Sequence, residues 1–179
     1  MRSAGFTMVE LVTVIVVMGI LGAIGASRFF DGDTFAGRAY SDQAKSLIRS
    51  AQKLAIAQNR AVFVRFTPTN LAVCFNAACN NAAGLAFAPG GSNSGSAATR
   101  AACVLGGNYI AGWMCEGVPA NLAVTGVGAG GLFFDGMGRP HNTNDAIGAS
   151  TFLQPLTLTF TSGASVYQFT IQAETGYVH

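Results

Sequence analysis

The chain has 179 residues, which suits one globular domain with an additional segment. Half of the residues are apolar and 10% are charged, whereas soluble domains carry about 25% charged residues. The formal net charge of +2 is too small to indicate nucleic-acid binding by itself.

The first predicted element is an apolar helix near the start of the chain. Leu11 to Ser27 contains no charged residue, and Glu10 is the single charge when the run is extended back to Phe6. A helix of about 20 apolar residues is long enough to cross a bilayer core. The pattern therefore predicts a membrane-spanning segment, with Arg2 on the cytoplasmic side.

A secretory signal peptide is the alternative interpretation of this run. The small residues Ala23, Gly25 and Ala26 could form a cleavage site after it. Glu10 argues against a signal peptide, because a carboxylate inside a membrane costs about 2 to 3 kcal/mol or more and so needs a partner. The helical pattern also continues beyond the apolar run.

Residues 5 to 11 read GFTMVEL. This segment resembles the prepilin-type processing motif of type IV pilins and type II secretion pseudopilins. The resemblance implies cleavage between Gly5 and Phe6 by a membrane peptidase, followed by N-methylation of Phe6. It also implies that Glu10 pairs with the N-terminus of a neighbouring subunit during assembly.

The same resemblance implies partners and a location. The partners are other pilin subunits in a filament, the prepilin peptidase and an inner-membrane assembly platform. The location is a single-pass inner-membrane protein with a periplasmic globular domain, and later a pilus or pseudopilus filament.

A second helix is predicted after a weak or bent point at residues 30–34. Its apolar residues recur at three- and four-residue spacing, which is typical of one buried face. They are Tyr40, Ala44, Leu47, Ile48, Ala51, Leu54 and Ala55. Basic residues occupy the other side. They form either a solvated face or a contact surface for DNA or an acidic partner.

Strands are predicted beyond Asn59, beginning with a hairpin around residues 67–70. The predicted strands are 62–66, 71–75, 109–114, 122–127, 131–134, 156–160, 166–171 and 176–178. The Gly- and Ser-rich segment 89–98 predicts a mobile surface loop.

The cysteines are Cys74, Cys79, Cys103 and Cys115. Their even number, beyond the apolar run, favours two disulfides in an oxidising compartment over free thiols. A zinc site is disfavoured because the chain has no CxxC motif and only two histidines. Neighbouring pairs are favoured. Residues 76–78 can form a turn that returns Cys79 to Cys74, and Cys103 and Cys115 flank the predicted strand 109–114.

These elements predict an α+β fold in which a long N-terminal helix packs on an antiparallel sheet, the organisation that the resemblance also implies. The expected segments are a leader (1–5), a transmembrane and assembly helix (6–30), an amphipathic half-helix (31–60) and a β-rich globular domain (61–179). The region from Phe134 to Pro140 and the terminal strand pair resemble H-type pseudopilins, FimT-type minor pilins and minor pilins of the mannose-sensitive haemagglutinin pilus.

Other motifs predict no catalysis. Gly126, Gly128 and Gly131 spell GxGxxG, but strand-like residues follow them where a dinucleotide site needs a helix. The oxygen-bearing residues near Asp135 and Asp145 could ligate calcium, but they match no EF-hand loop and are expected to be polar turn residues. We expect no enzyme activity, no cofactor and no metal site.

The expected function is that of a structural, minor subunit of a type IV pilus or a type II secretion pseudopilus. The alternative is a DNA-binding minor pilin of a DNA-uptake pilus. FimT-type relatives that bind DNA carry a basic C-terminal motif, and here residues 176–179 contain no arginine. Nucleic acid is therefore not an expected partner. The sequence leaves open whether the filament is adhesive, retractile or secretory.

Overall fold

The structure, a computed structural model, describes residues 7–29, 32–88, 90–128 and 130–179. It has the predicted α+β fold, with one long amphipathic helix packed on antiparallel sheets. The helices are α1 (Met8–Phe29), α2 (Gly32–Gln58) and α3 (Ala97–Ala102). The strands are β1 (Val62–Phe66), β2 (Asn70–Cys74), β3 (Val104–Leu105), β4 (Asn108–Tyr109), β5 (Cys115–Gly117), β6 (Leu122–Thr125), β7 (Leu132–Phe134), β8 (Pro140–Asn142), β9 (Leu156–Ser162) and β10 (Ser165–Ile171).

Helix α2 forms because its apolar residues make one continuous stripe. Tyr40, Ala44, Ile48, Ala51 and Ala55 are all 4% exposed or less and pack on the sheets. The predicted amphipathic helix is therefore confirmed. Asn59 follows the helix with a φ of 46°, a left-handed conformation that asparagine tolerates after a C-terminus. Of the predicted bent point, residues 30 and 31 lie outside the described residues, and residues 32–34 are helical.

The larger sheet has five antiparallel strands in the order β5-β2-β1-β7-β8. The predicted hairpin is confirmed, since β1 and β2 pair around residues 67–70 with Phe66 opposite Leu71. On β1 and β7, Val62, Val64, Leu132 and Phe134 face the core under α2. This sheet supplies one wall of the core.

The second sheet has three antiparallel strands in the order β10-β9-β6. As the alternating sequence of β9 predicts, Leu158 and Phe160 are buried between partly exposed threonines. Helix α2 contacts strands of both sheets, and the edge of the Tyr40 ring meets Phe160 at 6.0 Å between centroids. The two sheets and α2 thus share one core.

Two of the predicted strands, 109–114 and 176–178, are wrong. Strand β4 ends at Tyr109, and the chain then turns, with Trp113 N donating to Ile110 O at 3.3 Å. The small residues Ala111 and Gly112 allow this turn inside an apolar run. At the C-terminal end, only an isolated bridge between Val178 and Ile171 replaces the predicted strand 176–178.

The described part of the predicted mobile loop 89–98 is anchored to the domain. Its last residues begin α3, where Ser96 caps the helix by accepting a hydrogen bond from Thr99 N at 3.1 Å. Strands β3, β4, β5 and β8 were not predicted, because two- and three-residue strands carry too little pattern.

Candidate assembly site

Helix α1 presents an exposed apolar surface over residues 8–23. Every side chain from Thr7 to Ala23 is exposed, including Met8 at 88%, Ile15 at 63% and Leu21 at 64%. Soluble domains rarely leave contiguous apolar patches of more than a few hundred Å² in water. The helix is therefore a surface for packing against something apolar.

Glu10 lies in the first turn of α1. Its backbone N–H donates to Thr7 Oγ1 at 3.3 Å, so Thr7 caps the helix. Thr7 and Glu10 have the spacing of a capping box, a signal that the sequence analysis missed. Within residues 7–29 and the other described ranges, no cation lies at salt-bridge distance from the Glu10 carboxylate. Gly5 and Phe6 lie outside the described residues, so the predicted cleavage point stays a prediction.

Among the residues that the structure describes, no helix combines the length and apolarity needed to cross a membrane.

The structure contains both of the disulfides that the sequence favoured. Cys74 and Cys79 are joined with a Cα–Cα distance of 5.5 Å, and Cys103 and Cys115 with a distance of 5.8 Å. The second disulfide ties the C-terminus of α3 to the edge strand β5, and both bridges belong to a small buried cluster around Trp113. Trp113 Nε1 donates to Val73 O at 3.0 Å, which fixes this cluster on the larger sheet.

Glu116 is a buried carboxylate that the sequence analysis did not single out. It is 6% exposed and accepts hydrogen bonds from Ser94 N at 2.7 Å, from Thr99 Oγ1 at 2.8 Å and from the Ser94 hydroxyl. These bonds hold the Ser-rich segment and α3 against β5. No local sequence pattern marks Glu116, because the fold brings its partners Ser94 and Thr99 near it.

Asp135 and His141 form a buried polar pair across the turn between β7 and β8. His141 Nε2 lies 3.1 Å from Asp135 Oδ2, and its ring stacks on Phe133 with 4.6 Å between centroids. Asp135 Oδ1 accepts from Met137 N at 2.9 Å and from Arg139 N at 3.0 Å. The turn is thus held from inside, while Met137 at its tip is 67% exposed.

These bonds set the protonation of Asp135. Burial alone would raise its pKa, but the hydrogen bonds from Arg139 N, His141 and Met137 N, with the charge of His141, bring the pKa below its ordinary value. The carboxylate is thus the favoured form in the folded chain.

A cavity of about 540 Å³ opens between the two sheets beside the N-terminal half of α2. We call it the inter-sheet recess. Its walls include Tyr40, Phe66, Leu71, Leu122, Val124 and Phe160. Pro68, Ala123, Gly128 and Gly130 are exposed and form its mouth.

Tyr40 places one polar group in the inter-sheet recess. The residue is 4% exposed, and its hydroxyl forms no hydrogen bond within the described ranges. Burial raises the pKa of Tyr40, and the negative charge of Glu116 raises it further. The hydroxyl is therefore protonated and can donate.

The predicted basic face of α2 is present as a row of Arg38, Lys45, Arg49 and Lys53. Arg49 has a structural role that was not predicted: its Nε and Nη2 donate to Val178 O at 3.1 and 2.7 Å. It thereby pins the C-terminal segment to α2. No member of the row has a carboxylate partner at salt-bridge distance in the described chain.

The remaining motifs are turns. Gly126 and Gly131, with φ values of 88° and 98°, lie between β6 and β7, where no helix follows. Asp145 accepts from Asn142 N and Thr151 N, both at 2.8 Å, and so closes the loop after β8. No group of three or more metal-ligating side chains occurs among the described residues.

The chain is 42% identical over 62 residues to "Type IV narrow pilus major component PilA5" of Thermus thermophilus. That match covers 35% of this chain and 53% of the relative, so the chain aligns with about half of the relative's length. No family model matches the chain, and no solved structure matches it. The chain is therefore similar to a type IV pilin, in agreement with its α+β fold and exposed N-terminal helix.

Proposed function

We propose that this protein is a structural, minor subunit of a type IV pilus or a type II secretion pseudopilus, assembled through α1. The exposed apolar surface of α1 carries this proposal. Outside the bilayer, packing of α1 against the same helix of other copies keeps its apolar surface out of water, which is worth roughly 25 cal/mol per Å².

The proposed precursor is a single-pass inner-membrane protein. The prepilin peptidase cuts it between Gly5 and Phe6 and methylates Phe6. An inner-membrane platform then transfers the subunit to the filament, with the globular domain on the periplasmic side. Support comes from the GFTMVEL motif and from the apolar run that follows it.

Glu10 has a defined task in this scheme. Its carboxylate is exposed and has no cation at salt-bridge distance among the described residues. The new amino group at Phe6 of an adjacent copy supplies a positive charge. In apolar surroundings two opposite charges attract far more strongly than in water, so the pair guides the register between subunits.

The minor role is supported by the resemblance of the C-terminal half to H-type pseudopilins and FimT-type minor pilins. The Thermus relative is named as a major component, so the ratio of this chain to other subunits in a filament is an independent measurement. A minor subunit should be present at well below one copy per major subunit.

Incorporation into filaments tests the proposal. Filaments sheared from cells are separated from membranes, and the tagged chain is quantified in each fraction. We expect Ile15→Asp to remove the chain from filaments, since it places a charge on the apolar surface of α1. Ile147→Asp is the matched control, because Ile147 is 75% exposed and lies in the loop between β8 and β9. Equal incorporation of both variants would contradict assembly through α1.

A further inference from the structure

We infer that the inter-sheet recess receives the Met137 turn (Asp135–Arg139) of a second copy, so that globular domains contact one another head to tail. The inference rests on the proposed filament and adds an interface to it. Both features are present in one domain, and the exposed Met137 side chain and the open mouth of the recess are each available for contact.

The inter-sheet recess is an open cleft of about 540 Å³, and its walls include the apolar side chains Phe66, Leu71 and Phe160. Clefts lined mainly by apolar side chains with a few polar groups are the usual binding sites of proteins. The mouth of the recess is open, and the Tyr40 hydroxyl inside has no hydrogen-bond partner in the described ranges. Such a site suits an apolar side chain accompanied by one hydrogen-bond acceptor.

The Met137 turn has the complementary properties. Met137 is 67% exposed and flexible, but its backbone is fixed by the buried Asp135 and His141 pair. Gln52 Nε2 also donates to Gly138 O at 2.9 Å and to Thr175 O at 2.8 Å, which ties the turn to α2 and to the C-terminal segment. Fixing an apolar projection before it binds reduces the entropy that binding costs.

The two features lie at opposite ends of the domain. The turn follows Phe134, which pairs with Val62 at the start of β1, whereas the recess is lined by Phe66 at the end of β1. Along α2 the separation from Tyr40 to Ile56, which lies beside the turn, is about 24 Å at 1.5 Å per residue. A contact between different patches of identical chains is heterologous, and when its rotation does not close a ring it extends as an open helical filament.

The turn offers too little apolar surface to hold two free copies together, so we place the contact between copies that are already joined through α1. Around the Met137 turn, the exposed apolar side chains Ile56, Met137 and Tyr177 offer on the order of 300 Å². A stable interface buries about 800 Å² per partner. The turn alone is therefore too small to hold a free dimer, but tethering through α1 raises its effective concentration.

Engineered disulfides in assembled filaments test the contact. All four native cysteines are in disulfides, so new thiols are distinguishable. The full-length chain carries Met137→Cys together with Ala123→Cys at the mouth of the recess, and filaments are oxidised mildly before non-reducing electrophoresis. We expect covalent dimers and higher oligomers that neither single variant gives. Ile147→Cys with Ala123→Cys is the matched control, because Ile147 is as exposed as Met137 but lies outside the turn.

A second set of variants fills the recess with Val124→Trp or removes the Met137 side chain with Met137→Ser. Cross-linking should fall when Val124→Trp is added, because the indole occupies the recess that the turn has to enter. Met137→Ser tests the same contact without risk to folding, since the side chain is exposed, and its filaments should shear more readily than wild-type filaments.

The other outcomes separate the head-to-tail contact from the proposed function. Filaments without a cross-link, or with equal cross-linking in the Ile147 control, overturn the head-to-tail contact and leave the proposed function standing. Cross-links by Met137→Cys alone would show a symmetric contact and also overturn it. One apolar small molecule per chain, extracted from wild-type filaments and lost from Val124→Trp filaments, would make the recess a ligand site instead. Absence of the wild-type chain from filaments would overturn both proposals.

Discussion

The protonation of Asp135 affects the stability of the fold and of the exposed turn after β7. Its folded-state pKa lies below the ordinary value, whereas in the unfolded chain it is about 3.9. A lowered carboxyl pKa stabilises the folded chain at every pH above the unfolded value. That contribution is lost as the pH falls from about 3.9 through the folded pKa.

We therefore expect Asp135→Asn to lower the free energy of unfolding by about 2 kcal/mol at pH 7, the range for hydrogen bonds to a charged group. The variant should also lose less stability than the wild type between pH 7 and pH 3. Chemical denaturation at both pH values measures this. Asp42→Asn is the control, because Asp42 is exposed on α2. Equal losses in the two variants would show that the buried pair contributes nothing.

The Glu10 carboxylate can be removed without breaking the helix cap, because the cap uses the backbone N–H of Glu10. We expect Glu10→Val to leave processing and membrane insertion intact, since the helix becomes more apolar, but to reduce incorporation into filaments. Glu10→Gln should reduce incorporation similarly, because it keeps the shape and loses the charge. Fractionation of sheared filaments measures the result.

Thr7→Val is the control for helix capping at Glu10. It removes the cap at a cost of about 1 kcal/mol while keeping the carboxylate. If Thr7→Val lowers incorporation as much as Glu10→Val, weakening of the first turn of α1 is enough to reduce assembly and the effect is not specific to the charge.

At the scale of elements, the two disulfides hold the region between β2 and β5. The Cys103–Cys115 bridge spans 12 residues that contain only two short strands, β3 and β4. We expect the double variant Cys103→Ser, Cys115→Ser to lose about 3 kcal/mol of unfolding free energy, the entropic value for a loop of this length. Peptide mapping without reduction should recover Cys74 linked to Cys79 and Cys103 linked to Cys115. A peptide linking Cys79 to Cys115 would contradict the pairing.

Helix α2 and strands β1, β2, β9 and β10 were predictable because their patterns are local. A stripe at three- and four-residue spacing or an alternation along five to seven residues determines which face is buried. The segment Ile110–Met114 was not predictable, since its turn depends on the distant partner Val73 of Trp113. The buried roles of Glu116 and His141 likewise depend on residues that only the fold brings near. The capping motif at Thr7 was predictable and was missed.

At the scale of the whole molecule, charge limits the possible partners. Beyond residue 30 the chain has eight basic and seven acidic residues. Arg49 on α2 is engaged with the C-terminal segment, and Arg60 just after α2 packs over Phe75 at 4.1 Å, so these two basic side chains already have partners within the domain. Useful affinity for DNA takes several phosphate contacts, each from a basic side chain.

We therefore expect weak, non-specific DNA binding at most. A titration of labelled duplex and single-stranded DNA at about 50 and 200 mM salt measures it, since phosphate contacts weaken steeply over that span. The double variant Lys45→Gln, Lys53→Gln should remove most of the DNA binding at about 50 mM salt. Tight binding at the higher salt, abolished by Arg139→Ala, would contradict the structural interpretation and favour a DNA-uptake pilin.

The central claim is that a trimmed chain enters a filament through its N-terminal helix, and mass spectrometry of sheared filaments tests it most directly. The N-terminal peptide of the incorporated chain should begin at Phe6 and carry one methyl group. Gly5→Ala should leave the chain untrimmed and outside the filament, because the peptidase needs a residue without a side chain there. An intact Met1 terminus in filaments, or a new terminus near Ser27, would contradict the account.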